Sequence, residues 1–514
     1  MSCQEGVSLG VLIAEDGEDK NAEGQKRFLR KLCDLLSPSS AISNFFTLVV
    51  NFLVLHMPDS NSQPATVTSA KRLSPLSLKV NFAWTFLSNV LVAACQLGLM
   101  ALLLNKAGDA TTGRYIIALA ISAPVFMFAG LDLRTLQATD SNGEVRFVEY
   151  LSLRLICGVT ALALVPLVAL ALGYRAETLA VVATVGLGRF FLLIGDTFNG
   201  LMQQSERMDR VAHSIVLKGI LSSVLLGATF LATGSLIAAV FAEAATRFLV
   251  LIFYDLPLGR QLANQHGSEE ISIASLRTVK TNRLKNLTFR SLPLAFKVML
   301  VSLDTHVTRY FVSGMASLGA VGVFGPIASG AAAGSMVGKA LNQSVSAKLG
   351  RLATSGESSQ FRSFVRKLQL FYLAIGAAGV GFTMLAGGPL LALIRSDLLA
   401  YQSVLTLVVV SVALDLQNGI VDMSLVAARR IAPLAPACGL SIATSAICCW
   451  FLIPTFGLSG AAMAMIAGRI MRMIALNLAL TSDRYESAPN VTEPSGKTLT
   501  IKDEDVDNLD RAAA

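Results

Sequence analysis

The chain has 514 residues, of which 53% are hydrophobic and only 15% are charged, and its formal net charge is +8. Soluble domains carry about a quarter charged residues, so this composition excludes an ordinary soluble protein. In a membrane protein a positive net charge reflects the loops on one face and does not by itself indicate nucleic-acid binding. The seven cysteines form no C-x-x-C pair, so we expect neither a disulfide framework nor a metal site.

A cytoplasmic extension, residues 1–79, is predicted before the first long apolar run. Within it, residues 41–57 form an apolar stretch of about 17 residues, which is marginal for crossing a membrane. An interfacial helix is favoured over a span, because a span would place basic segments on both faces of the membrane.

Apolar runs of about 20 residues, long enough for a helix to cross a membrane, recur through the rest of the chain. Six spans are predicted in residues 80–257, near 80–104, 115–133, 153–173, 178–200, 214–233 and 235–256. A basic cytoplasmic linker is predicted at 258–290. Six more spans are predicted in residues 291–481, near 291–313, 317–343, 367–386, 402–426, 433–453 and 457–480, before a disordered cytoplasmic tail at 482–514. The predicted fold is an all-α polytopic membrane protein with about twelve transmembrane helices in two six-helix lobes.

The distribution of Lys and Arg between alternate loops predicts the orientation. One set of loops holds 20 cations, including Arg154 and Lys218, whereas the other set holds 4. Because Lys and Arg accumulate in cytoplasmic loops, both termini are predicted to be cytoplasmic.

Ionisable residues recur inside the predicted spans, where they are costly and suggest function. Each could simply pair with a neighbouring helix, as Glu243 and Arg247 can at i, i+4 spacing. Cations nevertheless exceed carboxylates, which favours a hydrated, net-positive cavity that attracts an anion. The cations are Arg189, Arg247, Lys297, Arg309, Lys339, Arg469 and Arg472, and the carboxylates are Glu243, Asp196, Asp304, Asp415 and Asp422.

The four aspartates are candidates for coupling transport to H⁺ or Na⁺, since burial and nearby cations shift a carboxyl pKa in opposite directions. Asp304 is favoured because it shares a helical face with Lys297, two turns away. A permanent Asp304–Lys297 pair that only fixes the helix is an equal alternative. No other cofactor is expected.

Four segments resemble bacterial polysaccharide flippases of the multidrug/oligosaccharidyl-lipid/polysaccharide (MOP) exporter superfamily. They are LRTLQATD (Leu133–Asp140), DTFNGLMQQSERMDRVAHSIVLKGILS from Asp196, SLPLAFKVMLVSLDTHVTRYFV from Ser291 and FGLSGAAMAM from Phe456, and the likeness covers about residues 80–480. The resemblance implies two lobes in a V around a central cationic cavity that opens alternately to each side of the bacterial cytoplasmic membrane. It also implies a polyprenyl-diphosphate-linked oligosaccharide as substrate, with membrane lipids and a polysaccharide polymerase or export proteins as further partners.

The segment LRTLQATD would form a polar elbow at the cytoplasmic end of the second span. Its Arg134 and Asp140 could meet the substrate diphosphate at the cavity entrance, or Arg134 could fix the depth of the span. The anchoring interpretation is favoured.

Two other functions remain as alternatives to a flippase. A drug exporter of the same superfamily would favour a cavity rich in carboxylates, and the excess of cations argues against it. A membrane polymerase or ligase typically has a large outer loop with catalytic residues, whereas no predicted outer loop here exceeds about 15 residues. A transporter, and not an enzyme, is therefore predicted.

Overall fold

The structure is a computed structural model that describes residues 78–140, 144–205, 207–265, 279–332, 334–354 and 358–481. All regular elements among these residues are helical. The predicted interfacial helix at 41–57 and the predicted disordered tail at 482–514 lie outside the described residues.

The first half of the chain forms eight helices joined by short turns. They are α1 (Leu78–Lys106), α2 (Asp109–Ala129), the short α3 (Leu133–Thr139), α4 (Phe147–Ala171), α5 (Ala176–Gln204), α6 (Met208–Thr233), α7 (Leu236–Val250) and α8 (Leu256–Gln265). A π-helical turn at Leu251–Asp255 joins α7 to α8 without a break. Gly234 ends α6 with a φ of 66°, a conformation that glycine adopts without steric cost.

The described second half of the chain forms six helices. They are α9 (Thr281–Met315), α10 (Leu318–Ala332), α11 (Gly334–Thr354), α12 (Ser358–Ile394), α13 (Gln402–Ala427) and α14 (Leu434–Thr481), with a 3-10 turn at Ser396–Tyr401 before α13. Within α14, Gly457 has φ 57° and ψ −130°, which breaks the element into two helices shortly after Pro454.

Nine helices in the described part of the chain are long and apolar enough to cross a membrane, and one of them, α14, is divided into two helices at its kink. The predicted spans 291–313 and 317–343, which are not among these nine, correspond to α9 and to the α10–α11 pair. The three ionised side chains Lys297, Asp304 and Arg309 lower the hydropathy of α9. Such a helix can still cross a membrane when its charges face a cavity. The helices therefore account for the twelve predicted spans.

The helices extend further than hydropathy predicts. The sixth predicted span ends at 256, whereas α8 continues to Gln265, and α9 begins at Thr281, inside the predicted linker 258–290. Residues 266–278 between them lie outside the described part. Hydropathy ends a span where charged residues begin, but a helix keeps its own hydrogen bonds in water and continues past the hydrocarbon core.

The two halves meet mainly along α2, which packs against both α9 and α10. A side chain at Gly113 would collide with the backbone of Leu318, and one at Gly322 would collide with the backbone of Asp109. Gly325 likewise leaves room for Ile116. Glycines therefore allow the backbones of α2 and α10 to touch at the end of the bundle that is predicted to face outward.

Candidate functional site: a cationic cavity between the halves

A cavity of about 770 Å³ lies between the two halves, and helices of both halves line it. The cations in its wall are Arg189, Arg247, Lys297, Arg309, Arg469 and Arg472, and the carboxylates are Glu243, Asp304, Asp415 and Asp422. The described wall therefore carries six cations and four carboxylates, an excess of two positive charges. Lys339 belongs to α11, but its side chain lies outside the described part of the structure.

The first-half charge group consists of Tyr115, Arg189, Glu243 and Arg247. Arg247 forms the predicted ion pair with Glu243 one turn away on α7, and the Tyr115 hydroxyl donates to the other Glu243 oxygen at 3.1 Å. The Nε of Arg189 is buried without a hydrogen-bond partner. This group contains two guanidinium groups and one carboxylate, so it has one surplus positive charge.

The second-half charge network consists of Asp304, Asp415, Asp422, Arg469 and Arg472, contributed by α9, α13 and α14. Asp304 pairs with Arg469 and accepts a hydrogen bond from Ser441 at 2.8 Å. Arg469 also lies 3.4 Å from Asp415, and Arg472 lies 2.5 Å from Asp422.

Asp304 has a different partner from the one that its sequence position suggests. Lys297 shares a face of α9 with it, yet the guanidinium that contacts Asp304 comes from Arg469 on α14. An arginine can satisfy two carboxylates at once, because its planar guanidinium offers several donors in fixed directions. Arg469 does this by bridging Asp304 and Asp415.

Two cations of α9 face the cavity apart from this network. Arg309 donates to the Nδ1 of His306 at 3.0 Å and to the Ser329 hydroxyl at 3.3 Å, both of which are neutral acceptors. Lys297 lines the cavity and forms no ion pair with a carboxylate of the described residues. With these two cations included, the second half has four cations against three carboxylates in the wall, again a surplus of one.

A second cavity of about 350 Å³ shares Arg189 with the first and is lined almost entirely by the first half. Here Asp196 contacts two arginines, Arg134 at 2.9 Å and Arg154 at 3.3 Å. Arg134 also donates to Gln203 at 3.1 Å and so ties the elbow helix α3 to α5. Arg189 and Asp196, seven residues apart on α5, both line this cavity, but the ion pairs of Asp196 are with Arg134 and Arg154.

Asp140, which the sequence places with Arg134 at an entrance, lines neither of these two cavities. Its carboxylate accepts hydrogen bonds from the backbone N–H groups of Glu144 and Val145, both at 3.1 Å. Asp140 therefore ties the end of α3 to the residues just before α4. Such side-chain-to-backbone bonds are typical of aspartate in turns.

Two cations that the sequence assigns to cytoplasmic loops lie inside helices. Arg154 on α4 is 2% exposed and contacts Asp196, and Lys218 on α6 is 5% exposed and lies 2.5 Å from Asp255. Hydropathy placed them at loop edges because it cannot identify a partner on another helix. The carboxylate partners allow both cations to be buried.

The predicted outer end of the bundle is closed by contacts between the halves. Arg395 donates to Asp109 at 2.7 Å and to the carbonyl of Leu104 at 3.1 Å. The Tyr174 hydroxyl donates to Ser313 at 2.7 Å, and the Tyr310 hydroxyl donates to the carbonyl of Ala120 at 2.5 Å. The bond to the Asp109 carboxylate contributes most to holding the pKa of Arg395 above its usual value.

At the opposite end, α9 joins the halves through more exposed contacts. Arg283 pairs with Glu149 and Arg290 pairs with Glu144, each at 3.2 Å, and both arginines are more than half exposed. The Glu149 carboxylate is buried, whereas Glu144 is exposed, so the Arg290–Glu144 pair contributes little to stability. Leu287 and Ala295 of α9 are also buried against the first half, so both ends of the bundle have contacts between the halves.

The structure brings together most of the residues predicted from the sequence, and it adds neutral polar side chains that the sequence did not indicate. Tyr115, His306 and Ser329 line the central cavity and bind the predicted charges. His306, three residues before Arg309, was the one that spacing could have identified. No group of three or more His, Cys, Asp or Glu side chains in the described chain is arranged to hold a metal ion.

Comparison with known proteins extends these observations. No protein-family model matches the chain. The capsular polysaccharide biosynthesis protein CapF of Staphylococcus aureus is 23% identical over 397 residues, which cover 77% of this chain and 97% of that protein. Among solved structures, the lipid II flippase MurJ in an inward closed conformation matches 78% of this chain and 87% of its own, with 12% identity and a TM-score of 0.60.

The MATE transporter VcmN of Vibrio cholerae matches 78% of this chain and 95% of its own, with 16% identity and a TM-score of 0.53. Both MurJ and the MATE transporters have the twelve-helix MOP fold, so the all-α fold predicted from the sequence is confirmed. The chain is a multi-pass membrane protein with the fold of the MOP superfamily of transporters, and the family resemblance of its sequence is confirmed.

Proposed function

We propose that this protein flips a polyprenyl-diphosphate-linked oligosaccharide across the bacterial cytoplasmic membrane by alternating access, with both termini in the cytoplasm. The product would supply a polysaccharide polymerase and export proteins that build a surface polysaccharide. The similarity to CapF, a capsular polysaccharide biosynthesis protein, supports this pathway. No covalent bond changes in such a step, so the protein acts as a transporter and not as an enzyme.

The observation that carries the proposal is the excess of two positive charges in the cavity wall, one from each half. A diphosphate esterified at both ends carries two negative charges at neutral pH. Moving it through hydrocarbon without compensation would cost many kcal/mol, roughly tens for an isolated ion. Arg189, Lys297 and Arg309 can replace the water around the two phosphates, because none of them pairs with a carboxylate of the described residues.

The cavity is also suited to the glycan. Its wall includes neutral hydrogen-bonding side chains, among them Gln96, Ser222, Ser335 and Asn342. These groups can replace water around sugar hydroxyls, while the polyprenyl chain stays in the bilayer. Binding of this kind needs no specific metal or organic cofactor, and coupling to H⁺ or Na⁺ would involve Asp196, Asp304, Asp415 or Asp422.

A drug exporter is the second candidate, because the MATE transporters share the fold. Organic cations are the substrates that a cavity with surplus carboxylates would attract. In this chain the surplus has the opposite sign, so a cation entering the cavity would be repelled. The charge of the cavity therefore favours the flippase.

Reconstituted liposomes that contain a fluorescent polyprenyl diphosphate oligosaccharide test the proposal. Wild-type protein should move the lipid between leaflets, and Arg189→Ala, Lys297→Ala and Arg309→Ala should each lower the rate about tenfold or more, since each removes a charge-assisted contact. Arg290→Ala, which removes an exposed arginine outside the cavity, should match wild type. Wild-type transport of a cationic dye without movement of the lipid would contradict the proposal and favour the exporter.

A further inference from the structure

The contacts of Arg309 differ from those of the other arginines in the central cavity. Arg247, Arg469 and Arg472 each pair with a carboxylate. Arg309 instead donates to His306 and Ser329, which carry no charge. Its positive charge is therefore uncompensated, and a histidine lies directly beside it in the cavity wall.

This contact fixes the protonation state of His306. A guanidinium group can only donate hydrogen bonds, so the Nδ1 of His306, 3.0 Å from Arg309, must accept. An imidazole that accepts at Nδ1 is neutral and carries its proton on Nε2. In this arrangement, therefore, His306 adds no charge to the cavity wall.

The cations beside His306 disfavour a second proton on its ring. Arg309 contacts it from the same helix, and Arg189 on α5 lines the same cavity. The nearby carboxylates are engaged with other arginines, since Asp304 contacts Arg469 and Glu243 contacts Arg247. A second proton on the ring would meet like charges, and it would break the hydrogen bond from Arg309.

We propose that His306 becomes a cationic ligand of the substrate: as the diphosphate draws Arg309 away, the Nδ1 of His306 binds a proton from solvent and donates it to a phosphate oxygen. The two negative charges of the diphosphate reverse the local potential, so that the charged imidazole is favoured. Binding of one diphosphate then takes up one proton. This inference rests on the proposed function, because it requires a diphosphate in the central cavity.

The test is calorimetric titration of the purified full-length protein with citronellyl diphosphoryl-glucose. Both phosphates of this probe are esterified, so the probe itself does not titrate near neutral pH. Titrations in buffers of different ionisation enthalpy give the number of protons taken up on binding. At about pH 8, above the usual histidine pKa of ~6.5, we expect wild type to take up about one proton and to lose about tenfold in affinity per unit rise in pH.

The decisive variant is His306→Asn, whose side-chain oxygen can accept from Arg309 in place of Nδ1. It should bind the probe with nearly constant affinity over the same pH range and without proton uptake. His213→Asn is the matched control, because the His213 ring lies beside Trp84, with ring centroids 5.0 Å apart, and lines neither cavity. It should behave as wild type.

The outcomes separate the two proposals. If His306→Asn takes up as many protons as wild type, or if wild type binds without proton uptake, the role of His306 is overturned and the flippase proposal stands. If wild type does not bind the probe, or if the double variant Arg189→Ala, Lys297→Ala binds as tightly as wild type, the proposed function itself is overturned. Thermal unfolding of each variant identifies any loss of folding.

Discussion

The two halves of the cavity wall each provide one surplus positive charge, but they do so in different ways. The first-half charge group is small, with a single carboxylate, Glu243, for two arginines. The second-half charge network has three carboxylates for two arginines, and the second half of the wall has a positive surplus only because Lys297 and Arg309 line it as well. We therefore propose that stability and substrate attraction depend on different residues in the second half, whereas in the first half the same few residues serve both.

The largest effect is expected at the centre of the second-half charge network. Asp304→Ala should lower the free energy of unfolding by about 3–5 kcal/mol, because it leaves the buried Arg469 without its closest carboxylate. Thermal and denaturant unfolding in detergent measure the change. Asp397→Ala, which removes an exposed carboxylate at the predicted outer end, should leave the stability almost unchanged, because water screens an exposed ion pair.

A charge exchange sharpens this prediction. Asp304→Arg combined with Arg469→Asp should recover part of the lost stability, whereas Asp304→Lys combined with Lys297→Asp should not. The structure places Arg469, and not Lys297, against Asp304. Recovery by the Lys297 exchange alone would contradict that pairing and restore the partner suggested by the sequence.

The sequence predicted local pairs better than distant ones. Glu243 and Arg247 are one helical turn apart, so their spacing alone identifies the pair. Asp304 and Arg469 are 165 positions apart, and only the packing of α9 against α14 brings them together. Hydropathy alone predicted twelve spans, but it ended the helices too early. It also left Arg154 and Lys218 in loops, because hydropathy counts each charged side chain and ignores the carboxylate that neutralises it.

A smaller effect of opposite sign is expected in the first-half charge group. Glu243→Gln keeps an acceptor for the Tyr115 hydroxyl and removes one negative charge, so the surplus in this half rises from one to two. Affinity for citronellyl diphosphoryl-glucose should increase about fivefold, on the order of 1 kcal/mol for one charge several Å away in a hydrated cavity. Weaker binding would show that Glu243 positions Arg247 for the substrate, and that its charge matters less than its geometry.

Asp422→Asn provides the matching test in the second half. It removes one carboxylate that lies 2.5 Å from Arg472 and leaves an acceptor in the same position. If charge alone sets affinity, it should strengthen probe binding about as much as Glu243→Gln does. If the second-half charge network serves mainly stability, Asp422→Asn should change probe affinity less than Glu243→Gln does and should lower the stability of the protein more. We expect this second result.

The smallest effect is expected where the two halves touch at the predicted outer end. Arg395→Ala removes the bonds to Asp109 and to the Leu104 carbonyl but leaves the backbone contact between α2 and α10 intact. Arg395 is only partly buried, so the seal should weaken by about 1 kcal/mol, which corresponds to about a fivefold rise in the population open at that end. This population can be measured in a variant that carries Ser329→Cys and no other cysteine. A thiol reagent that cannot cross the membrane should label that cysteine only when the outer end is open.

Gly322→Val, which places a side chain against the α2 backbone, should raise labelling far more than Arg395→Ala does, because a steric block cannot be relieved by water. If Arg395→Ala opened the protein as much as Gly322→Val, the ion pair and not the glycine contact would be the principal seal between the halves.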